Sequence, residues 1–228
     1  MILDKRADLG HGDVKKLLFS LSVPTITSQI VNMLYNLVDR VFIGHMQPAE
    51  TVGKLALTGV GVCLPIIMVI SAFASLMAIG GAPRASIAEG AGESEKSERI
   101  MGNCLTMLVI TALVLTVLFE SFAEPLLLMF GASENTIGYA LDYMRIYALG
   151  TIFVQLTLGM NAYITAQGFA TVSMKTVLIG ALLNTALDPL FIFVLGLGVR
   201  GAALATGISQ GDLVGALEAK GYTINPAL

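Results

Sequence analysis

Apolar residues in this chain collect into runs long enough to cross a hydrocarbon layer about 30 Å thick, separated by short polar segments. Five such runs predict spanning helices at residues 17–44, 55–80, 100–119, 137–161 and 172–197. The first is long for one crossing and contains Pro24, which predicts a tilted and kinked helix. A sixth run opens at Gly201 with GAALATGISQ and meets Gly211 and Asp212 after ten residues. An aspartate near mid-bilayer costs about 2.5 to 3.5 kcal/mol on insertion scales, and glycines weaken the helix further. The pattern therefore predicts an all-α polytopic membrane protein, a six-helix bundle with a truncated sixth helix. Residues 1–15 form a polar leading segment, 16–210 the transmembrane lobe, and 211–228 a tail of soluble character. SFAEPLLLMFGAS, after the third run, predicts a short amphipathic helix in the membrane interface.

Composition agrees with a membrane setting. Hydrophobic residues make up 55% of the chain and charged ones 13%, about half the usual charged share of soluble domains. A net charge of −3 implies no nucleic-acid partner. The opening MILDKRADLGHGDVKK is too polar for a signal peptide. Basic residues are distributed unevenly: Lys5, Arg6, Lys15, Lys16, Arg84, Lys96, Arg99 and Lys175 fall on one side, Lys54 and Arg200 on the other. That bias places the N-terminus in the cytoplasm of a multi-pass cell-membrane protein. Glu89, Glu93, Glu95 and Glu98 share the long second cytoplasmic loop and read as a solvated, partly helical connector. Cys63 and Cys104 stand alone in apolar segments and read as small packing residues. His11 and His45 are isolated, so no histidine-based metal site is visible.

Apart from Lys175, which opens the fifth run, five charged residues nevertheless lie inside the apolar runs. Asp39 follows Tyr35 and Asn36 by about one turn, and Asp188 follows Asn184 by one turn and precedes Pro189. An ionised carboxylate at membrane depth costs several kcal/mol and is a functional hypothesis by default. With a rise of 1.5 Å per residue, Asp39 falls about 8 Å and Asp188 about 15 Å below the outer ends of their helices. Tyr143 and Thr206, entering from outside, fall about 9 Å deep by the same count. Four segments thus bring polar groups to the outer half of the membrane. A carboxyl withdrawn from water holds a proton more readily than one in water. Sodium would instead take oxygen ligands, which Asp39, Asn184, Asp188 and Thr206 can supply. Pro24 and Pro189 lack an N–H, which releases the carbonyls of Ser20 and Thr185 from their helical bonds. The competing reading is that these groups hydrogen-bond between helices and only hold the bundle together. That accounts for Asn184 and Thr206 taken alone, but not for the two aspartates.

The remaining charges read as structural. Arg40 points about 100° away from Asp39 and snorkels outward, while Asp142 and Arg145, three apart, pair locally. Tyr35, Asn36, Gln155 and Asn161 are candidates to line a cavity. The eleven methionines offer an adaptable apolar surface for varied substrates, though packing accounts for them more simply.

SVPTITSQIVNMLYNLVDRVFIGH, LLNTALDPLFIF and GVRGAALATGISQ, in this order, resemble the multidrug and toxic compound extrusion (MATE) family. The resemblance runs from about Asp13 to Gln210. It implies the N-terminal lobe of a twelve-helix secondary transporter that exports organic cations and drugs in exchange for sodium or protons. It also implies that Asp39 and the kink proline Pro24 belong to the first helix, and that Tyr143, Asn184, Asp188 and Thr206 form an ion-coupling cluster. No cofactor is expected beyond the coupling ion. Expected partners are the bilayer and either the C-terminal lobe or a second copy in its place; the lobe by itself is expected to be inactive. Nothing after Gln210 resembles the family.

Three other classes fit the sequence less well. A non-transporting membrane remnant or assembly module is compatible with a single lobe. A lipid or oligosaccharide flippase would show more cationic residues in its core. An intramembrane aspartyl protease would resemble a YD…GxGD pattern, whereas this chain reads LVD and ALDP. The charge bias itself is testable. With Cys63 and Cys104 replaced, a single cysteine at Glu134 should react with an impermeant maleimide on intact cells, and one at Ser94 should stay protected; the inverse pattern would reverse the orientation.

Overall fold

The computed structural model describes residues 13–219, with side chains for residues 13–211. Lys5, Arg6, His11, the side chain of Asp212 and the segment 220–228 lie outside the described residues. Helices make up the architecture: α1 Val14–Gly44, α2 Lys54–Val62, α3 Leu64–Gly90, α4 Ser94–Met129, α5 Ile137–Leu149, α6 Thr151–Ala166, α7 Ala170–Pro189 and α8 Val199–Ala219. Short π-helical turns at Ala49–Gly53 and Leu190–Val194 extend α2 backward and α7 forward. In lipid every backbone N–H and C=O must be satisfied within its own segment, which makes helices the default for an apolar chain of this kind.

Four continuous segments are long and apolar enough to cross a membrane: Val14–Gly44, Ala49–Gly90, Ser94–Met129 and Ala170–Val194. The pair α5 and α6 qualifies as a fifth, bent by 56° at its break. Gly150 occupies that break, and a Cβ there would lie 3.7 Å from Cα of Gly207 on α8, so the bend also admits a close neighbour. The sixth segment, α8, stays outside this apolar set, as expected from its composition. Its backbone differs from expectation: the helix does not stop at Gln210 but continues through Gly211 to Ala219. Helical hydrogen bonds tolerate a glycine at about 1 kcal/mol, so Gly211 shortens the apolar stretch without ending the helix.

Asp13 caps α1 by accepting a hydrogen bond from the Lys15 backbone N–H at 3.0 Å. The helix then runs 31 residues with Pro24 buried inside it. The expected interfacial helix SFAEPLLLMFGAS is instead the end of α4, bent where Phe122 leaves helical geometry (φ −118°, ψ 18°). Pro125 lacks the N–H that would bond the Ser121 carbonyl, which accounts for a bend three to four residues earlier. After α7, Gly196 and Gly198 adopt φ of +66° and +58°, reversing the chain into α8.

Water drives none of the helix pairing inside a bilayer, so close approach through small residues takes over. On α3, Ala74, Ala78, Gly81, Ala82, Ala85 and Ala88 form a buried stripe against α4 and α6. Around this pair the chain closes a bundle: α1 lies along α7, α7 against α8, and α8 against α5 and α6. Asp142 does not pair with Arg145 but with Arg200 of α8 at 2.7 Å. Arg200 opens α8 at the end where α5 begins, so the longer-range partner is the nearer one. Lys96 pairs with Glu93 and Arg99 with Glu95, both at 2.7 Å and exposed, as a solvated connector requires.

Two glycines separate close packing from mere composition. A Cβ on Gly201 would lie 2.7 Å from the Phe191 carbonyl carbon, whereas one on Gly61 would meet nothing within 4 Å. Gly201→Ala should therefore lower stability by about 1–3 kcal/mol through overpacking against backbone. Gly61→Ala should be neutral or raise it by up to about 1 kcal/mol. Thermal denaturation of the detergent-solubilised chain compares the two directly.

Candidate functional site

Three helices that pack in series, α1, α7 and α8, deliver the polar groups. On α7, Asn184 and Asp188 are one turn apart on the same face, and both are buried. The Asn184 side-chain amide donates to Asp188 Oδ1 at 3.4 Å and reaches Thr206 Oγ1 of α8 at 3.5 Å. Thr206 in turn donates to the Ala202 carbonyl at 3.1 Å. Asn184 is thus the hinge of the arrangement, spanning two helices with one NH2 group.

Asp39 approaches from α1, also buried, and lies near enough to Asp188 for the two carboxylates to interact electrostatically. Arg40 supplies an attractive charge to Asp39 from the neighbouring position. Tyr143 of α5 is buried within electrostatic range of Asp39, its ring stacked on Tyr147 at 5.9 Å. Of the five residues expected in the cluster, Asn184, Asp188 and Thr206 are joined by hydrogen bonds, Asp39 is linked to Asp188 only electrostatically, and Tyr143 approaches Asp39 alone.

What the cluster lacks is donors. Asp39 Oδ1, Asp188 Oδ2 and Asn184 Oδ1 are all buried without a hydrogen-bond partner. Leaving one buried acceptor unsatisfied costs about 1–3 kcal/mol, and more when it is charged. Three such oxygens, contributed by two adjacent helices, make this region rich in unpaired acceptors. Among the described residues no three His, Cys, Asp or Glu side chains group as a metal cluster would require.

A cavity of about 320 Å³ lies between α1, α6, α7 and α8. Its wall on α1 is formed by Thr25, Ser28, Gln29, Asn32 and Tyr35, a polar stripe at helical spacing. Thr157, Asn161 and Thr165 make a second stripe on α6, and Ser209 and Gln210 close it from α8. Tyr35 lines the cavity and also lies within electrostatic range of both Asp39 and Asp188.

The other candidates are placed differently. Asn36 is exposed and donates to the Asn32 carbonyl at 2.7 Å, away from the cavity. Gln155 is fully buried, and its amide donates across to the Ile70 carbonyl of α3 at 2.8 Å, outside this cavity. Pro24 is buried within α1, and its carbonyl accepts from Ser28 Oγ at 2.9 Å. Pro189 ends α7 one residue beyond Asp188, where the backbone widens into the π-helical turn. Reading only the charged residues misses the α1 stripe, which was visible in the sequence as polar residues three to four apart. Ser209 and Gln210 carry no comparable signal, because a serine and a glutamine near a glycine suit a helix end equally well.

Residues 24–190 match the family model described as MatE. A multidrug export protein MepA of Staphylococcus haemolyticus (strain JCSC1435) is 30% identical over 200 residues, covering 88% of this chain and 43% of that protein. The MepA of Staphylococcus aureus (strain NCTC 8325 / PS 47) is 26% identical over 197 residues, covering 86% and 43%. Among solved structures, a MATE transporter in complex with MaD5 superposes with a TM-score of 0.86 at 27% identity, covering 97% of this chain and 48% of that one. An outward-facing multidrug resistance MATE transporter of the MOP superfamily gives 0.84 at 28% identity, covering 95% and 48%. The chain spans about half the length of the relatives it matches.

The hydrogen-bond geometry ranks two asparagines in opposite order to their sequence prominence next to an aspartate. Asn184→Ala should destabilise the chain by about 1–3 kcal/mol, because it strands Asp188 and Thr206. Asn36→Ala, on an exposed face, should change stability by under about 0.5 kcal/mol. Equal losses in detergent melting experiments would contradict the arrangement.

Proposed function

The chain belongs to the MatE family, and on that premise we propose that it is the ion-coupling half of a multidrug efflux antiporter. The observation that carries this reading is the acceptor-rich cluster, in which Asp39, Asn184 and Asp188 each hold a buried oxygen without a donor. Two carboxylates that repel each other in apolar surroundings are stabilised by any cation placed between them. Asp39, Asn184, Asp188 and Thr206 offer oxygens to a sodium ion, and the same carboxylates accept a proton. The coupling ion, Na+ or H+, is therefore a transported substrate rather than a resident cofactor.

Coupling requires that cation binding at this cluster change the helices around the drug path. α1 joins the two: Asp39 lies on it, and so does the polar wall of the adjacent cavity. Neutralising Asp39 and Asp188 removes their repulsion and lets α1 and α7 settle more closely. Pro24 gives α1 a place to bend, because its missing N–H leaves one helical bond unmade. A shift of α1 would then reshape the cavity that Thr25, Asn32 and Tyr35 line. Drugs, organic cations among them, are the substrate class of this reading, which the MepA relatives support by their name as multidrug export proteins. The bundle sits in the cell membrane with its N-terminus in the cytoplasm, following the charge bias.

Alternating access works by rocking two repeats about a site between them, and these residues make one. The chain expressed by itself should therefore not export; joined to a second lobe it should. In that two-lobed form, Asp39→Asn and Asp188→Asn should each abolish gradient-driven efflux of a fluorescent organic cation while expression and melting temperature hold. Undiminished efflux in both single variants would leave these aspartates a structural role only. Efflux by residues 1–228 alone, lost when sodium and proton gradients collapse, would show that two copies replace the second lobe.

A further inference from the structure

A second large concavity lies away from the carboxylate cluster, in the groove between α3 and α4 near the end where these helices are joined. It encloses about 940 Å³. Its upper part carries Arg84 of α3 and Lys96 and Asn103 of α4, and its lower part the apolar side chains of Leu76, Met77 and Ile100. We propose that this groove binds one anionic phospholipid, its phosphate held by Arg84 and Lys96 and one acyl chain lying along the apolar floor.

Position argues first. Arg84 is six residues from the end of α3, about 9 Å by helical rise, so its long side chain reaches the headgroup level while its stem stays in apolar surroundings. The groove is open on its outer side: Leu76 is 60% and Ile87 73% exposed, as is the neighbouring Ile79 at 75%. Leaving a cavity of this size empty beside lipid would forfeit dispersion contacts along its whole length.

Charge argues second. The lining holds two cations and one carboxylate, Arg84, Lys96 and Glu93, a net charge of +1. Glu93 engages Lys96 at 2.7 Å and leaves the other ammonium hydrogens available. Arg84 makes no ion pair among the described residues. The other nearby acids do not compete: Glu95 is engaged by Arg99, and Glu89 and Glu98 do not line the groove. A guanidinium next to an ammonium and an amide donor matches a phosphodiester, whereas a zwitterionic headgroup would bring its own cation against Arg84.

Shape argues third. The groove floor passes Gly80, where an added Cβ would meet nothing within 4 Å. A larger side chain at that point therefore fills the groove without disturbing the helices. Gly81, one residue on, is different, because a Cβ there would run into Tyr163 and Cys104. The glycine pair thus keeps one side packed and the other open.

Native mass spectrometry of the full chain, released from micelles doped with phosphatidylglycerol or with phosphatidylcholine, tests the proposal. Wild-type protein should retain phosphatidylglycerol about fivefold more than phosphatidylcholine, the preference expected from one basic residue at a membrane surface. Arg84→Gln should remove the preference, Arg84→Lys should keep it, and Gly80→Leu should reduce retention of both lipids. Should Arg84→Gln fail to fold, Gly80→Leu and Arg84→Lys still decide the matter. Equal retention of the two lipids by wild type would assign the groove to lipid of any headgroup and overturn the proposal. An unchanged preference in Arg84→Gln, or displacement of phosphatidylglycerol by inorganic phosphate alone, would overturn it as well. None of these readouts depends on transport, so they stand apart from the reading of the carboxylate cluster.

Discussion

A carboxylate enclosed by hydrocarbon is the constraint around which this lobe is arranged. Asp188 is wholly buried on α7, with one oxygen held loosely by Asn184 and the other without a partner. Desolvation on that scale is tolerated where surrounding helices bring compensating groups or a ligand does so. α1 and α8 flank α7 because each contributes polar atoms toward that face: Asp39 from one, Thr206 from the other. The order of helices, the bend in the α5–α6 span and the reversal at Gly196 and Gly198 all serve to bring these segments side by side.

The bundle divides its labour between two kinds of packing. α3, α4 and α6 meet largely through small side chains, the alanines and glycine of α3 among them, with Gln155 of α6 bonded across to Ile70 of α3. α1, α7 and α8 enclose the polar cavity and the acceptor cluster, where packing is less complete and oxygens remain unsatisfied. Unmet acceptors are not confined to these helices, since Gln155 and Asn161 of α6 each keep one as well. Tyr35 lines the cavity and also lies within electrostatic range of the aspartates.

The lateral groove between α3 and α4 extends the same logic to the outside of the bundle. The small-residue stripe that packs α3 inward leaves Gly80 facing outward with open space in front of it. Arg84 and Lys96 line the same groove, and the lipid proposed there would fill the space in front of Gly80.

Much of this was legible along the chain. Spans follow from apolar run lengths, because a bilayer demands about 20 consecutive apolar residues per helix and the backbone can be satisfied in no other way. Asp39, Asn184, Asp188 and Thr206 stand out because polar atoms at that depth are costly enough to be rare. Contacts between distant segments were not legible. Local spacing pairs Asp142 with Arg145 as readily as with any partner, and only the approach of α8 to α5 selects Arg200. Spacing likewise gives Asn36 and Tyr35 the same standing, although helix rotation turns one to the exterior and the other into the cavity. Sequence by itself located the apolar spans and the polar residues that stand out within them, since both follow from the transfer energies of single segments. Tertiary structure alone decided which oxygens lack donors and where the cavities open, because satisfaction of a buried polar atom depends on what the neighbouring helix happens to present.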